Sequence, residues 1–146
     1  ANNFFKGQSR AIDEDTFEYI YDVSDKVTWY VQAILHGIYE HSKDVIDRQL
    51  VDDVVREIIE SQSTAYQNYC AWLTENQQRL LTAIARERLV TSPLGQIFIR
   101  SYNLPAVSSV KAALKSLVDK QLISKTPQGY YVSDRFFAKW LSGHVF

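Results

Sequence analysis

Acid–base, metal or nucleophilic chemistry in this 146-residue sequence has few groups to draw on: a carboxylate cluster at Asp52, Asp53, Glu57 and Glu60, three histidines and one cysteine. Paired carboxylates can share a proton or hold a hard cation. On one helix, these four read instead as a solvated acidic face. His36 and His41 are five apart and do not share a helix face as an i, i+4 zinc pair would, and His144 falls in a C-terminal tail. No metal site is expected. Cys70, between Tyr69 and Ala71, reads as a small core residue, since no cationic neighbour in sequence would lower its thiol pKa. A serine hydrolase would need a Gly-x-Ser-x-Gly elbow, which is missing. The five glycines, Gly7, Gly37, Gly95, Gly129 and Gly143, are scattered, and none precedes Lys-Ser or Lys-Thr in a phosphate-cradling loop. Tyr66, Tyr69 and Trp72 can stack on bases, but at helical spacing they read as a seam between subdomains. No residue is assigned a catalytic role.

Charge says more. Sixteen basic and seventeen acidic residues give a net charge of -1, yet residues 1–85 carry 7 basic and 14 acidic groups while residues 86–146 carry 9 and 3. Such an asymmetry suits a nucleic-acid or acidic-partner surface on the basic side, and equally suits attraction between the halves. At 46% hydrophobic and 23% charged residues the composition is that of a globular chain. A lone cysteine excludes an intramolecular disulfide framework and suits a reducing, cytoplasmic compartment. No apolar run reaches the roughly 18 residues of a membrane span, and the start lacks a signal peptide's pattern, so a soluble protein with no membrane partner is expected. Methionine is absent even from position 1, and the chain is accordingly read as an internal or C-terminal piece of a longer protein.

Periodicity then supplies the elements. Phe17, Ile20 and Tyr21 share a face of a short helix from Asp13 to Tyr21, with Ile12 closing over its start. Val27, Tyr30, Val31, Ile34, Leu35 and Ile38 mark a second helix, with Ser24 or Asp25 available as its cap. Asp47 opens a third, striped by Val51, Val54, Val55, Ile58 and Ile59, and the spacing carries that helix on through Tyr66, Tyr69, Cys70, Trp72 and Leu73. Thr74-Glu75-Asn76-Gln77 fits a capping box, which places a subdomain boundary at 73–74. A helix from Glu75 to about Arg88 follows. Ser92-Pro93-Leu94-Gly95 turns into a short helix carrying Ile97, Phe98 and Ile99, and Asn103-Leu104-Pro105 breaks the chain again. The next helix points Val110, Ala113, Leu114, Leu117 and Val118 inward, and Ser108, Ser109, Lys111, Ala112 and Lys115 outward. Leu122–Lys125 and Tyr130–Ser133 read as strands joined by Thr126-Pro127-Gln128-Gly129, and Asp134 to Leu141 as a last amphipathic helix.

The expected fold is therefore mainly α: a helical subdomain over residues 10–73, then a winged helix-turn-helix over 74–142 whose hairpin is the wing. On duplex DNA, Ser108, Ser109, Lys111 and Lys115 would face the major groove, with Arg100 and Lys125 near phosphates. That helix face holds no Arg, Asn or Gln for bidentate base reading, so DNA binding would be weak, sequence-independent and salt-sensitive. Protein contact through the same face is the favoured reading, and nucleic acid the other.

Leu80-Leu81-x-Ala83-Ile84-Ala85, Leu104-x-x-x-Ser108-Ser109-Val110-x-x-Ala113-Leu114-x-x-Leu117 and Asp134-x-Phe136-Phe137-x-x-Trp140-Leu141 together resemble the C-terminus of archaeal-type P-loop ATPases of the AAA+/STAND group, bacterial branch. Val27-Thr28-Trp29-Tyr30-Val31-Gln32, with Ile34-Leu35 and Ile38-Tyr39, looks like that family's helical lid. The resemblance implies a parent that binds and hydrolyses ATP with Mg2+ in a core lying before residue 1. The present chain would be a non-catalytic C-terminal fragment without a cofactor, partnered by that core. It would relay nucleotide state through the winged helix to a protein or DNA partner. Family lids often carry Gly-x-Pro where this sequence has Lys26-Val27-Thr28, so the resemblance carries over only a nucleotide contact through Val27 or Thr28, with Lys26 meeting a phosphate or simply solvated. The competing class is a free-standing winged-helix transcription regulator, which would be a stable dimer reading two half-sites.

Overall fold

A computed structural model describes residues 12–41 and 45–143, and the tail placement of His144 lies outside them. Among the described residues there are eight helices and one two-stranded antiparallel hairpin, grouped in two compact units that divide between Gln62 and Ser63.

The first unit is made of α1 (Glu14–Val23), α2 (Thr28–Glu40) and α3 (Arg48–Ser61). Asp13 starts α1 by accepting the Thr16 amide at 2.7 Å, a bond that pulls its carboxyl below the usual range. Asp47 starts α3 in the same way through the Leu50 amide at 3.0 Å. Helix α2 departs from expectation, since neither Ser24 nor Asp25 caps it. Ser24 is buried and turns its hydroxyl back onto the Tyr21 carbonyl, while Asp25 and Lys26 lie in the left-handed region at φ 54° and 61°. Val27 is then the N-cap, without a side-chain bond. Ile20, Ile34, Ile38, Leu50, Val51, Val54 and Val55 form the core. Gly37 lets α2 approach α3: a Cβ there would stand 2.5 Å from Val54 Cγ1. One polar bracket joins α1 to α3, with the Tyr19 hydroxyl donating to Asp52 at 2.5 Å and the Arg48 guanidinium 4.8 Å above the Tyr19 ring.

The third helix stops at Gln62, although the apolar spacing continues past it. Residues 63–73 belong to the second unit, so the division falls earlier than the 73–74 boundary. The reason is aromatic. Tyr66 of α4 (Ser63–Ala71) is buried against Phe137 and Trp140, ring centroids 5.0 and 5.5 Å away, and the Trp140 indole N–H donates to Ser63 Oγ at 3.2 Å. The seam of Tyr66 and Tyr69 is thus internal to this unit, and Trp72 stands 85% exposed.

Beyond α4 come α5 (Glu75–Glu87), α6 (Gln96–Ser101), α7 (Val107–Asp119), β1 (Ile123–Thr126), β2 (Gly129–Val132) and α8 (Arg135–Ser142). Helix α5 is central and packs on α7, α8 and β2. Its capping box forms as the sequence indicates, Thr74 Oγ1 accepting from the Gln77 amide and the Gln77 carboxamide oxygen accepting from the Thr74 amide. The Gln77 amide nitrogen also donates to Ser116 Oγ at 3.0 Å, tying α5 to α7. Leu80, Leu81, Ile84, Leu117, Ile123 and Phe136 are fully buried. Val118, expected inward, is half-buried. Asp134 caps α8 through the Phe136 and Phe137 amides.

The hairpin pairs Ile123 with Val132 and Thr126 with Gly129, one residue later on β1 and one earlier on β2 than the spacing suggests, so its turn is only Pro127-Gln128. Val90, after α5, adds a one-residue third strand by exchanging both backbone hydrogen bonds with Tyr130 at 2.8 and 2.9 Å. Gly129 is required there: its φ is 145°, and a Cβ would lie 2.6 Å from the Val90 carbonyl oxygen. After α5, α6 and α7 the chain turns through left-handed non-glycine residues, Arg88 (φ 69°), Asn103 (φ 50°) and Gln121 (φ 62°).

Candidate interaction surface

Helix α6, the turn 102–106 and α7 form a helix-turn-helix. The Leu104 amide donates to Ile99 O at 2.9 Å, the Asn103 amide donates to Arg100 O at 3.2 Å, and the Arg79 guanidinium of α5 donates to the Asn103 carbonyl. Phe98, Ile99 and Leu104 anchor the turn inside, while Val110, Ala113, Leu114 and Leu117 bury one side of α7. The opposite side of α7 is left outward.

The structure places the candidate residues as follows. Ser108, Lys111 and Lys115 are exposed on α7 and Ser109 is half-buried. Arg100 is exposed on α6, and Lys125 is exposed on β1 with its ammonium 5.7 Å from the Tyr130 ring centroid. By helical spacing, Ser108, Lys111, Ala112, Lys115 and Asp119 make one stripe along α7. Lys115 Nζ lies 3.1 Å from Asp119 Oδ2, so one of the two lysines is already paired with a carboxylate of the same stripe. The stripe as a whole carries a net charge of +1, although residues 63–144 hold ten basic and four acidic groups. Most of the positive charge of the unit is therefore spread over Arg79, Arg86, Arg88, Arg100, Lys120, Lys125, Arg135 and Lys139 rather than gathered on α7.

Lys26, Val27 and Thr28 form an exposed corner between α1 and α2 in the first unit. The Lys26 amide donates to the Tyr21 carbonyl at 2.9 Å, which fixes the backbone and leaves the ammonium free to point outward. Sequence reasoning did not find Ile97 as a surface residue: α6 buries Phe98 and Ile99 and leaves Ile97 87% exposed. A six-residue helix is too short for its periodicity to tell one apolar neighbour from another. Nor did it find Val90 or Arg79, whose partners are distant in sequence.

Burial pushes the Cys70 thiol up, away from the nucleophilic thiolate. His36 pairs with Glu40 at 3.1 Å and His41 with Glu57 at 3.3 Å. Among the described residues no group of three or more His, Cys, Asp or Glu side chains is placed to hold a metal ion, and no helix is long and apolar enough to cross a membrane.

A family model described as "Probable winged helix domain" matches residues 64–143, nearly the span of the second unit. No curated protein and no solved structure matches the chain.

Proposed function

The chain belongs to the family described as a probable winged helix domain, and from that premise we propose that its second unit is a protein-docking module working through the outward face of α7 and the hairpin. The observation that carries this reading is the α7 stripe. Reading a duplex asks for cations aimed at phosphates and for Arg, Asn or Gln aimed at base edges. The stripe instead offers two serine-sized or smaller side chains, one unpaired lysine, and a second lysine held by Asp119. Such a face suits close contact with a protein surface carrying a few carboxylates.

Duplex DNA is the second reading, favoured by the excess of basic groups in residues 63–144. The two separate in a titration of labelled duplex DNA of about 20 base pairs at low and at physiological salt. Protein docking predicts binding weaker than about 1 µM at physiological salt, falling with a log–log slope of about two, because few phosphates would be neutralised. Tighter binding that Lys111→Glu/Lys115→Glu abolishes would overturn it in favour of DNA.

In the fuller form of the proposal the chain is the non-catalytic C-terminal part of a P-loop ATPase. Residues 12–62 would act as the lid, Lys26, Val27 and Thr28 would face the nucleotide, and lid closure would move the winged helix to its partner. The sequence resemblance supports this. A Gly-x-x-x-x-Gly-Lys-Ser/Thr segment encoded upstream of Ala1 would sustain it, whereas a start codon close to Asn2 would defeat it.

A further inference from the structure

Among the large apolar side chains that the structure leaves in water, Ile97 and Trp72 are the most exposed, at 87% and 85%. Trp72 follows α4 and has no basic residue within six positions of it in sequence to draw a partner over it. Ile97 has one. Arg100 lies three residues further along α6, hence one turn away on the same face, and it is exposed. Its guanidinium has no hydrogen bond or ion pair among the described residues, whereas Lys115 is paired with Asp119 and Lys125 lies over Tyr130.

The face is also rigid. Phe98 and Ile99, adjacent to Ile97 in sequence, are buried on the other side of α6, so the helix cannot roll to hide Ile97 without exposing both. Ser101 Oγ donates to the Ile97 carbonyl at 2.7 Å, and the Gly95 carbonyl accepts from the Ile99 amide at 3.1 Å, so both ends of the short helix are held. A β-branched isoleucine in a fixed helix loses little rotamer freedom when something covers it. An apolar knob with a free guanidinium one turn away is a poor match for a phosphate backbone, since a phosphate pressed against Ile97 would give up its water with no hydrogen bond in return. It matches an apolar side chain flanked by a carboxylate.

We propose that the Ile97–Arg100 face of α6 is a docking site for an acidic amphipathic helix of a protein partner, an apolar residue of that helix covering Ile97 while a neighbouring carboxylate pairs with Arg100. This rests on reading the second unit as a protein-docking module, and it names the partner's chemistry. The basic excess of residues 63–144 draws such a helix in, and Ile97 sets its register.

The test uses the whole chain and three labelled probes followed by fluorescence anisotropy: a Leu/Glu peptide of about 18 residues with helical leucine spacing, polyglutamate of equal length, and duplex DNA. The Leu/Glu peptide is expected to bind about tenfold tighter than polyglutamate, the gain from covering one aliphatic side chain. Ile97→Ser, at an exposed position and so without effect on the thermal melt, is expected to erase that preference. Arg100→Gln is expected to weaken both peptides about threefold while leaving their ratio unchanged. Equal affinity for the two peptides, binding to neither, or a preference that survives Ile97→Ser would overturn the proposal. So would duplex binding tighter than either peptide and insensitive to Ile97→Ser. Lys111→Glu/Lys115→Glu separates the two levels: a preference lost in Ile97→Ser but kept in this variant sustains the α6 site while removing α7 from the docking face. The reverse pattern keeps α7 and overturns α6.

Discussion

The two units bury helices that are each too short to persist alone, and they do so with different materials. In the first, aliphatic stripes from α1, α2 and α3 meet, and the long-range polar links among its described residues are Tyr19 to Asp52 and, at the exposed surface, His41 to Glu57. In the second, helices are keyed together by side-chain bonds across long sequence separations, Gln77 to Ser116 and Trp140 to Ser63, by a backbone bridge from Val90 to Tyr130, and by the rings of Tyr66, Phe137 and Trp140. Aliphatic stripes can be filled by many sequences, whereas keys of this kind need particular residues at particular places. The family match, residues 64–143, falls on the keyed unit.

Adding one methyl group to each unit gives the largest test of that contrast. Gly129→Ala drives a Cβ into the Val90 carbonyl at a φ that side chains avoid, and should cost the second unit about 3 kcal/mol. Gly37→Ala meets only the Val54 side chain and gains helix propensity, so the first unit should lose about 1 kcal/mol. Denaturant unfolding followed through Trp29 for the first unit and Trp140 for the second checks both. Equal losses would show that the second unit is no more exactingly keyed than the first.

Alkaline pH acts on both units alike. Burial, with help from the Asp52 bond, pushes Tyr19 up to about 12, and burial, with the Asp134 charge, pushes Tyr66 up to about 12. Both phenols stay protonated in the fold where the unfolded chain would ionise near 10. Their contribution is therefore complete below pH about 10 and is lost as pH rises toward about 12. Tyr19→Phe should remove this loss from the Trp29 signal and leave it in the Trp140 signal. A loss reduced by the same part in both signals would mean that the units unfold as one, since Tyr66 would still contribute.

The smallest effect is the most even. Asp47→Ala and Thr74→Ala each remove an N-cap and should cost about 1 kcal/mol in their own unit, measured by the same unfolding curves. A larger cost at Thr74 would mean that Gln77, released from the capping box, also loosens its bond to Ser116.

Those caps were legible in the sequence, because an N-cap needs only one side chain and the amide two or three residues on. So was the α7 stripe, where 13 residues give the period room to show. The end of α3 at Gln62 was not, since no glycine or proline marks it and the apolar spacing runs straight through. What ends that stripe is Tyr66 finding Phe137 and Trp140, partners some seventy residues away. The cap of α2 misled for a local reason: Ser24 satisfied its hydroxyl backward on Tyr21, and Asp25 and Lys26 took left-handed backbone instead. Of the candidate surface, the residues on α7 were readable, while the pairing of Lys115 with Asp119 and the outward turn of Ile97 needed coordinates.

Arg88, Asn103 and Gln121 close three helix ends at positive φ, which suits glycine, is tolerated by asparagine, and strains Arg88 and Gln121 by about 1 kcal/mol each. Replacing Arg88 or Gln121 by glycine would relieve that strain and raise the heat tolerance of the second unit. The second unit therefore stands below the stability that its fold can reach.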